Sequence, residues 1–269
     1  MARVITVAIE KGGSGKTTTV VNLAAVMAKH GKKVLCVDCD AQGNATVSLT
    51  QKRKSEFNDK GLFDLLSTLG ITSGDMCINK TEIENIDIIP SNDMTSQILS
   101  YLAIMQHKYG EAAYVYLAKA LAQFNDKYDY ILIDTPPGRD EIVQNALYCA
   151  DYALIPTQCD SYGIEGMEAT FALIKTLEAQ SGVEIPILGI LLTVVENQTA
   201  LTTLIRSNLQ ESDFGEDLLK SEIHKAQAYK ESTFAMTPAV LMDRRGKPAK
   251  DYEALYMEIK KKMKKLEAE

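Results

Sequence analysis

The sequence predicts an α/β protein with a doubly wound, mostly parallel sheet that carries helices on both faces. Two observations support this class: near-continuous runs of valine, isoleucine and leucine recur along the chain, and segments with helical spacing of apolar residues lie between them. The expected strands are residues 4–9, 34–38, 86–89, 130–134, 152–156 and 187–194. The expected helices are residues 16–30, 93–105, 111–124, 141–149, 164–180 and 200–211. Ligands of such sheets bind at the carboxyl ends of the strands, so functional residues are expected there.

Length and composition predict one globular domain over residues 1–269. Hydrophobic residues make up 46% of the chain, which is enough for a sizeable core, and charged residues make up 24%. No apolar stretch approaches the ~20 residues that a membrane-spanning helix needs. The chain also reaches its first predicted strand too early for a signal peptide. A cytoplasmic location is therefore expected.

The five cysteines, an odd number spread along the chain, do not indicate a disulfide framework. Cys36 and Cys39 have the C-x-x-C spacing, but they lie in a predicted buried strand and its end. Side chains three apart on a strand point to opposite faces, so shared metal or disulfide chemistry is not expected. Both thiols are expected to pack as small apolar side chains.

The net charge of −7 is unevenly distributed along the chain. From residue 220 onward there are 12 Lys and Arg against 8 Asp and Glu, whereas the preceding residues have 17 against 28. A basic end on an acidic body indicates contact with DNA or with an anionic lipid surface. A lysine-rich solvated helix explains the charge equally well.

A C-terminal helix is predicted at about residues 250–266. Its apolar residues fall in a stripe roughly 100° wide, and most of its lysines lie outside that stripe. The apolar residues are Tyr252, Leu255, Tyr256, Ile259, Met263 and Leu266. Such a stripe is typical of a helix docked on the core with a solvated basic face. A membrane-surface helix is the alternative, but the stripe has an ordinary width and no bulky Phe or Trp.

A glycine-rich stretch connects the first predicted strand to the first predicted helix. Glycines let the backbone turn its N–H groups inward, and the helix N-terminus adds partial positive charge, so the loop is expected to wrap a polyphosphate. Lys16 would supply a cation for the phosphates, and Thr17 a hydroxyl for Mg²⁺. Glu10 holds the first glycine position of the common motif, so the loop is a variant. The expected nucleotide-binding residues are Lys11, Gly12, Gly13, Ser14, Gly15, Lys16, Thr17 and Thr18.

Residues 11–18 resemble the deviant Walker A motif of the ParA/MinD ATPases, whose hallmark is an additional lysine matched here by Lys11. Three further segments are similar to that family's acidic motif, its Walker B strand with the following switch, and its next strand and helix: residues 37–44, 128–138 and 155–166. The departures from the family pattern are Glu10, Ser14 and Ala41. None of them removes a side chain that contacts phosphate. The resemblance covers nearly the whole chain and implies the P-loop NTPase fold.

The resemblance implies that ATP joins two copies of the chain face to face, with Lys11 of each copy reaching the other's nucleotide. It further implies that Asp134 holds Mg²⁺ through water and that Asp40 orients the attacking water. Asp38 would lie near the metal, or would only cap the end of its strand. The implied catalytic residues are Lys11, Lys16 and Asp40, and the implied metal residues are Thr17, Asp38 and Asp134.

The expected reaction is hydrolysis of ATP to ADP and phosphate at a weak basal rate. Phosphoryl transfer depends on positioning and charge neutralisation, and an arginine from a partner can accelerate it on the order of 10³–10⁵-fold. No arginine of this sequence is obviously placed to do so within the same chain. A partner protein is therefore expected to stimulate the reaction.

Two function classes compete. In a ParA-type partition ATPase, the ATP dimer binds DNA without sequence preference, and a ParB-like adaptor triggers hydrolysis; such a protein would be associated with the nucleoid. In a MinD-like ATPase, the dimer binds membrane through its C-terminal helix. Residues 38–44 favour the first class, and the chain's acidic last residues count against a membrane anchor. An iron–sulfur carrier, the third class, would need cysteine ligands near the dimer axis.

Contact with DNA would be electrostatic and strongly dependent on salt. The candidate residues lie on one predicted helix, in the basic segment after it and before the last helix. They are Arg206, Lys225, Lys230, Arg244, Arg245 and Lys247. For each of them, ordinary solvated surface is an equally good interpretation.

Overall fold

The computed structural model describes residues 1–196 and 200–268, which form an eight-stranded sheet with helices on both faces. The strand order is β3-β4-β2-β5-β1-β6-β7-β8, and every neighbouring pair is parallel except β3 with β4. The strands are β1 Arg3–Val7, β2 Val34–Asp38, β3 Asn79–Lys80, β4 Ile86–Ile89, β5 Tyr130–Asp134, β6 Tyr152–Gln158, β7 Ile187–Val195 and β8 Leu218–His224. The predicted doubly wound α/β class is confirmed.

Eleven α-helices connect and flank the strands within the described residues. In the first half they are α1 Lys16–Lys29, α2 Asn44–Thr50, α3 Leu62–Ser67, α4 Ile98–Tyr109 and α5 Tyr116–Leu121. In the second half they are α6 Glu141–Tyr148, α7 Ser161–Ser181, α8 Ala200–Glu211, α9 Ala228–Phe234, α10 Ala239–Met242 and α11 Lys247–Leu266. None of the helices in the described part of the chain has the length and apolar character that crossing a bilayer requires.

The topological switch point of the sheet lies at β1. The chain leaves β1 towards β2 on one side, and β6 pairs with β1 on the other side. The register places Val7 of β1 and Asp38 of β2 directly beside Asp134 of β5. Three strand ends therefore meet at one level of the carboxyl edge, which is where open parallel sheets bind their ligands.

All six predicted strands are present, but two edge strands were missed. In β8 buried and solvated residues alternate irregularly, so no apolar run marks the strand. The predicted helix at 111–124 is also wrong in extent, because α5 occupies only its middle, between two 3-10 turns. Asn145 explains the break: its amide donates to Ala113 O at 2.7 Å and accepts from Leu117 N at 2.9 Å.

The polar stretch at residues 51–60 contains a short 3-10 turn at Lys54–Phe57. Phe57 is buried, and Lys54 Nζ donates to Ala41 O at 2.7 Å. The loop is thereby fastened to the segment that follows β2. Cys36 and Cys39 are both buried, and they belong to hydrophobic clusters on opposite faces of the sheet, as the strand period requires.

The C-terminal helix α11 packs against α1 and β8. Its apolar stripe is buried: Tyr252, Leu255, Tyr256 and Ile259 are fully inaccessible and Met263 nearly so. The docked-helix interpretation is therefore correct. The face that a membrane-surface helix would present to lipid is occupied by the protein's own core.

Leu255→Ala should destabilise the protein by about 2–5 kcal/mol, because it leaves a cavity between α11, α1 and the sheet. Met257 lies on the same helix but is 53% exposed, so Met257→Ala should change the free energy of unfolding by no more than about 0.5 kcal/mol. Urea unfolding measures both values. Equal unfolding midpoints for the two variants would show that α11 is not part of the cooperative core.

Candidate nucleotide-binding site

The loop between β1 and α1 has the backbone conformation of a phosphate cradle. Gly13 and Gly15 have φ angles of +76° and +84°, in the left-handed region that side chains disfavour. Gly15 immediately precedes α1 and has no side chain with which to cap it. The N–H groups of the first turn are therefore left to an external acceptor, and the helix dipole favours an anion there.

Neighbouring elements hold the loop through its carbonyl groups. Thr193 Oγ1 donates to Ser14 O at 3.0 Å, and Gln158 Nε2 donates to Gly13 O at 2.8 Å. Ser14 itself is fully buried, and its hydroxyl donates to Lys11 O at 3.2 Å. Because the carbonyls are bound on the protein side, the loop is fixed in shape before any ligand arrives.

Lys16 lies under the loop and is 6% exposed. Its Nζ donates to Lys11 O at 3.0 Å and to Ile9 O at 3.2 Å. Burial lowers its pKa, and the nearby carboxylates of Asp134 and Asp40 act in the opposite direction. The hydrogen-bond acceptors of the Lys16 ammonium are thus neutral backbone carbonyls. An anionic ligand in the cradle would stabilise its positive charge.

Asp134 and Thr17 supply oxygen atoms at the base of the cradle. Thr17 Oγ1 donates to Asp134 Oδ2 at 2.7 Å. Asp134 is fully buried, and its other oxygen, Oδ1, has no hydrogen-bond partner among the described residues. Burial, together with the charge of Asp38, raises the pKa of Asp134 well above the usual range. A buried carboxylate oxygen without a donor, beside a hydroxyl, fits a hard cation such as Mg²⁺.

The oxygen donors here are too few for an all-protein metal cage. No group of three or more His, Cys, Asp or Glu side chains in residues 1–196 and 200–268 is arranged to hold a metal ion. Mg²⁺ ordinarily takes one or two protein oxygens and completes its shell with water and substrate phosphates. The site therefore suits a cation that arrives with a polyphosphate.

Asp38 lies beside Asp134, but its hydrogen bonds hold the protein together. Its Oδ2 accepts from Thr46 N at 2.8 Å and from Thr46 Oγ1 at 2.7 Å, and its Oδ1 accepts from Asp40 N at 3.2 Å. The side chain is fully buried, which raises its pKa to about 6. Asp38 therefore anchors the start of α2 to the end of β2, and a metal role for it stays a prediction.

Asp40 is placed differently from Asp38. It is half-buried beyond the strand end, and its Oδ1 accepts from Gln42 N at 2.9 Å. Its negative charge contributes to the raised pKa of Asp134 and opposes the lowering of the Lys16 pKa by burial. Asp40 is thus the more accessible of the two carboxylates for water.

Lys11 lies at the outer side of the cradle and is bound within its own chain. Its Nζ contacts the two carboxylate oxygens of Asp160 at 2.7 and 2.9 Å and Gln158 Oε1 at 3.1 Å. Tyr162 lies with its ring centre 5.7 Å from the same atom. Asp160 also caps α7 by accepting from Gly163 N at 2.6 Å. Burial acts to raise the pKa of Asp160, but the hydrogen bonds from Lys11 and Gly163 lower it below its usual value.

Four residues that contact the predicted site were not singled out from the sequence: Thr46, Gln158, Asp160 and Thr193. Each lies at or just beyond the carboxyl end of a strand, or on the helix that follows it. Arg139 is a fifth, and its Nε lies 2.8 Å from Glu10 Oε2. The sequence could have indicated Arg139, because it directly follows Pro136-Pro137-Gly138 on the loop after Asp134.

The structure divides the six candidate DNA residues into two groups. Three of them form ion pairs: Arg206 with Glu222 at 2.6 Å, Lys247 with Asp251 at 3.1 Å, and Lys225 with Glu196. The other three are exposed and have no ion-pair partner among the described residues; they are Lys230, Arg244 and Arg245. The second group is better placed to meet an external anion.

Replacing the buried carboxylate should change how stability depends on pH. When folding raises the pKa of a carboxyl group, the stabilising contribution of that group is complete below its unfolded pKa of about 3.9. This contribution to the free energy of unfolding is lost as the pH rises through the folded-state pKa. Asp134→Asn should therefore melt about 3 °C or more above the wild type at pH 8 without ligand, and close to it at pH 4. Thermal unfolding measures this, with exposed Asp213→Asn as the unchanged control. A lower melting temperature for Asp134→Asn at pH 8 would contradict the raised pKa.

The fold is shared with solved nucleotide-bound proteins. The ATP complex of a McdA variant from Cyanothece aligns with a TM-score of 0.82 at 23% identity, covering 97% of this chain and 96% of that chain. Cobyrinic acid a,c-diamide synthase from Mycobacterium smegmatis, with bound ATP analogue and magnesium, aligns with a TM-score of 0.79 at 23% identity, covering 95% and 93%. At this identity the likenesses establish a common fold.

Sequence relatives cover nearly the whole chain. A family model described as an AAA domain matches residues 2–187. The sporulation initiation inhibitor protein Soj of Bacillus subtilis is 30% identical over 262 residues, covering 96% of this chain and 98% of Soj. The chromosome partitioning protein ParA of Caulobacter vibrioides is 28% identical over 264 residues, covering 96% and 93%. The chain therefore belongs to the AAA domain family of that model and, with Soj and ParA, to the ParA/MinD superfamily of partition ATPases.

Proposed function

We propose that this protein is a ParA-type ATPase that binds MgATP, dimerises on it, holds nonspecific DNA as a dimer and is released when a ParB-like adaptor stimulates hydrolysis. One observation carries the proposal. The glycine loop lies directly above the Thr17–Asp134 pair, and the pair has an unsatisfied carboxylate oxygen. Two structural neighbours agree with it, since one is an ATP complex and the other carries an ATP analogue with magnesium.

The residues of the cradle have separable tasks in this proposal. The N–H groups at the start of α1 and the Lys16 ammonium hold the phosphates and stabilise the charge that develops on them. Thr17 and Asp134 hold Mg²⁺, which neutralises phosphate charge when bound. Asp40, half-buried at the edge of the cradle, orients the attacking water. Asp38 keeps α2 and the Asp40 loop in place through Thr46.

The surroundings of Lys11 support a dimer of two facing copies. The side chain lies outside the cradle, on Asp160, from where it can exchange its partner for a phosphate of a second copy. Exposed apolar side chains surround the same opening. Tyr162 is 72% exposed beside Lys11, and Val194 is 43% exposed next to Thr193, which bonds the loop.

Phe234, at the end of α9, is a further exposed apolar side chain, close in sequence to residues that line the cradle. It is 92% exposed, and its neighbours Thr233 and Thr237 line a cleft of about 230 Å³ together with Thr17 and Thr18. Exposed aromatic side chains around a charged opening are typical of a surface that a partner covers. A second copy of the chain would bury these side chains and exclude water from the triphosphate.

The unpaired basic residues support DNA as the larger ligand and a location on the nucleoid. Lys230, Arg244 and Arg245 are exposed on or just before the last helices, and no acidic side chain of the described residues pairs with them. A phosphate backbone would supply their counter-charge. The membrane alternative lacks comparable support, because the apolar face of α11 is buried in the core.

Sedimentation of an Asp40→Ala variant with MgATP tests the proposed function. If Asp40 orients the attacking water, the variant should retain ATP and accumulate as a dimer. That dimer should co-sediment with nonspecific duplex DNA at low salt and should ignore anionic liposomes. The Arg244→Ala, Arg245→Ala double variant in the same background should lose DNA binding but still form the dimer.

Two surface variants in the Asp40→Ala background provide the matched comparison. Phe234→Ser should weaken the ATP-dependent dimer at least several-fold, whereas Ile71→Ser, which replaces a side chain 78% exposed in the turn after α3, should not. A monomer in saturating MgATP would refute the proposed dimer. Liposome binding without DNA binding would favour the MinD-like alternative.

A further inference from the structure

Glu10 and Arg139 connect two loops of the site. Arg139 Nε lies 2.8 Å from Glu10 Oε2, and Gly138 N donates to Glu10 O at 3.1 Å. The first residue of the phosphate loop is thus bound, through both its backbone and its side chain, to the loop that follows Asp134.

The loop that carries Arg139 lies along the edge of the cradle. It begins after Asp134, whose Oδ1 has no hydrogen-bond partner among the described residues. It also runs close to the glycine loop, since a Cβ atom added at Gly12 would be 4.0 Å from Pro137 Cβ. Burial raises the pKa of Asp140, the residue after Arg139, and the negative charge of Asp40 contributes to the increase. Arg139 therefore lies on the loop that leaves Asp134 and runs beside the glycine loop, where it contacts Glu10.

A glutamate at the entrance of a polyphosphate site needs a nearby cation, because an unpaired carboxylate would repel the ligand. Arg139 supplies that charge in the free protein. The pair is partly solvated, with 56% of the Arg139 side chain and 31% of the Glu10 side chain exposed, and such pairs contribute little to stability. Guanidinium groups bind phosphate oxygens in bidentate fashion. A bound phosphate can therefore replace Glu10 at little cost.

We infer that Arg139 contacts the terminal phosphate of the bound nucleoside triphosphate and that Glu10 competes with that phosphate for it. The inference rests on the proposed function, since it assumes that the cradle binds MgATP. Arg139 would make the site bind a triphosphate more tightly than a diphosphate. Glu10 would reduce this difference, because the phosphate has to displace Glu10 from Arg139. The chain thus carries its own arginine for the nucleotide, where the sequence indicated none.

Titration calorimetry of ATP and ADP with Mg²⁺ tests this assignment through the ratio of the two affinities. Arg139→Gln should weaken ATP binding about tenfold or more and leave ADP within about twofold, because a charge-assisted phosphate contact is lost. Arg139→Lys should recover part of the ATP affinity. Glu10→Gln should act in the opposite direction and tighten ATP a few-fold, because it frees Arg139 without removing its charge.

A purely structural link predicts a different pattern. If the pair only braces the two loops, Glu10→Gln and Arg139→Gln will weaken ATP and ADP together, and the inference is overturned. Lys119→Gln is the matched control, because it breaks an exposed ion pair with Glu111 and should change neither affinity. Wild-type protein that binds neither nucleotide would defeat the proposed function as well. Normal binding with an unchanged ATP-to-ADP ratio in Arg139→Gln would defeat only the role of Arg139.

Discussion

Asp134 is fully buried at the end of β5, and one of its oxygens meets no hydrogen-bond donor in the part of the chain that the structure describes. A buried charge without a partner is costly, and so its pKa is raised. The sheet forces this arrangement, because the register that pairs β5 with both β1 and β2 fixes Asp134 between Val7 and Asp38. Under the proposed function, a cation and its phosphates in the cradle above Asp134 would offset this cost, so the buried carboxylate would contribute to affinity for the ligand.

The cations of the site follow the same logic. Lys16 is bound to loop carbonyls, Lys11 to Asp160 and Arg139 to Glu10. Each of these partners lies within the chain, so under the proposed function a nucleotide would replace contacts without unfolding any element. In the proposed function, a ligand and a second copy of the chain would select between these contacts and contacts to phosphate.

The sequence predicted the parts of the fold that have strong periodicity, namely six strands with continuous apolar runs and the amphipathic helix α11. It missed β8, whose pattern is irregular at a sheet edge, and it overextended the helix that Asn145 interrupts. In the site, the cradle and Thr17 were predicted from local motif chemistry, and Asp134 from the family resemblance. The partners Thr46, Asp160 and Glu10–Arg139 join distant segments through side-chain geometry, which spacing along one chain does not encode.

The central claim is that a triphosphate and Mg²⁺ together satisfy the buried oxygen pair of Thr17 and Asp134. Calorimetric titration of the wild-type protein with ATP, in Mg²⁺ and again in a chelator, tests it directly. Binding should be at least about tenfold tighter with Mg²⁺, and Asp134→Asn should lose most of that difference. Absence of ATP binding, or an affinity that Mg²⁺ does not alter, would contradict the account.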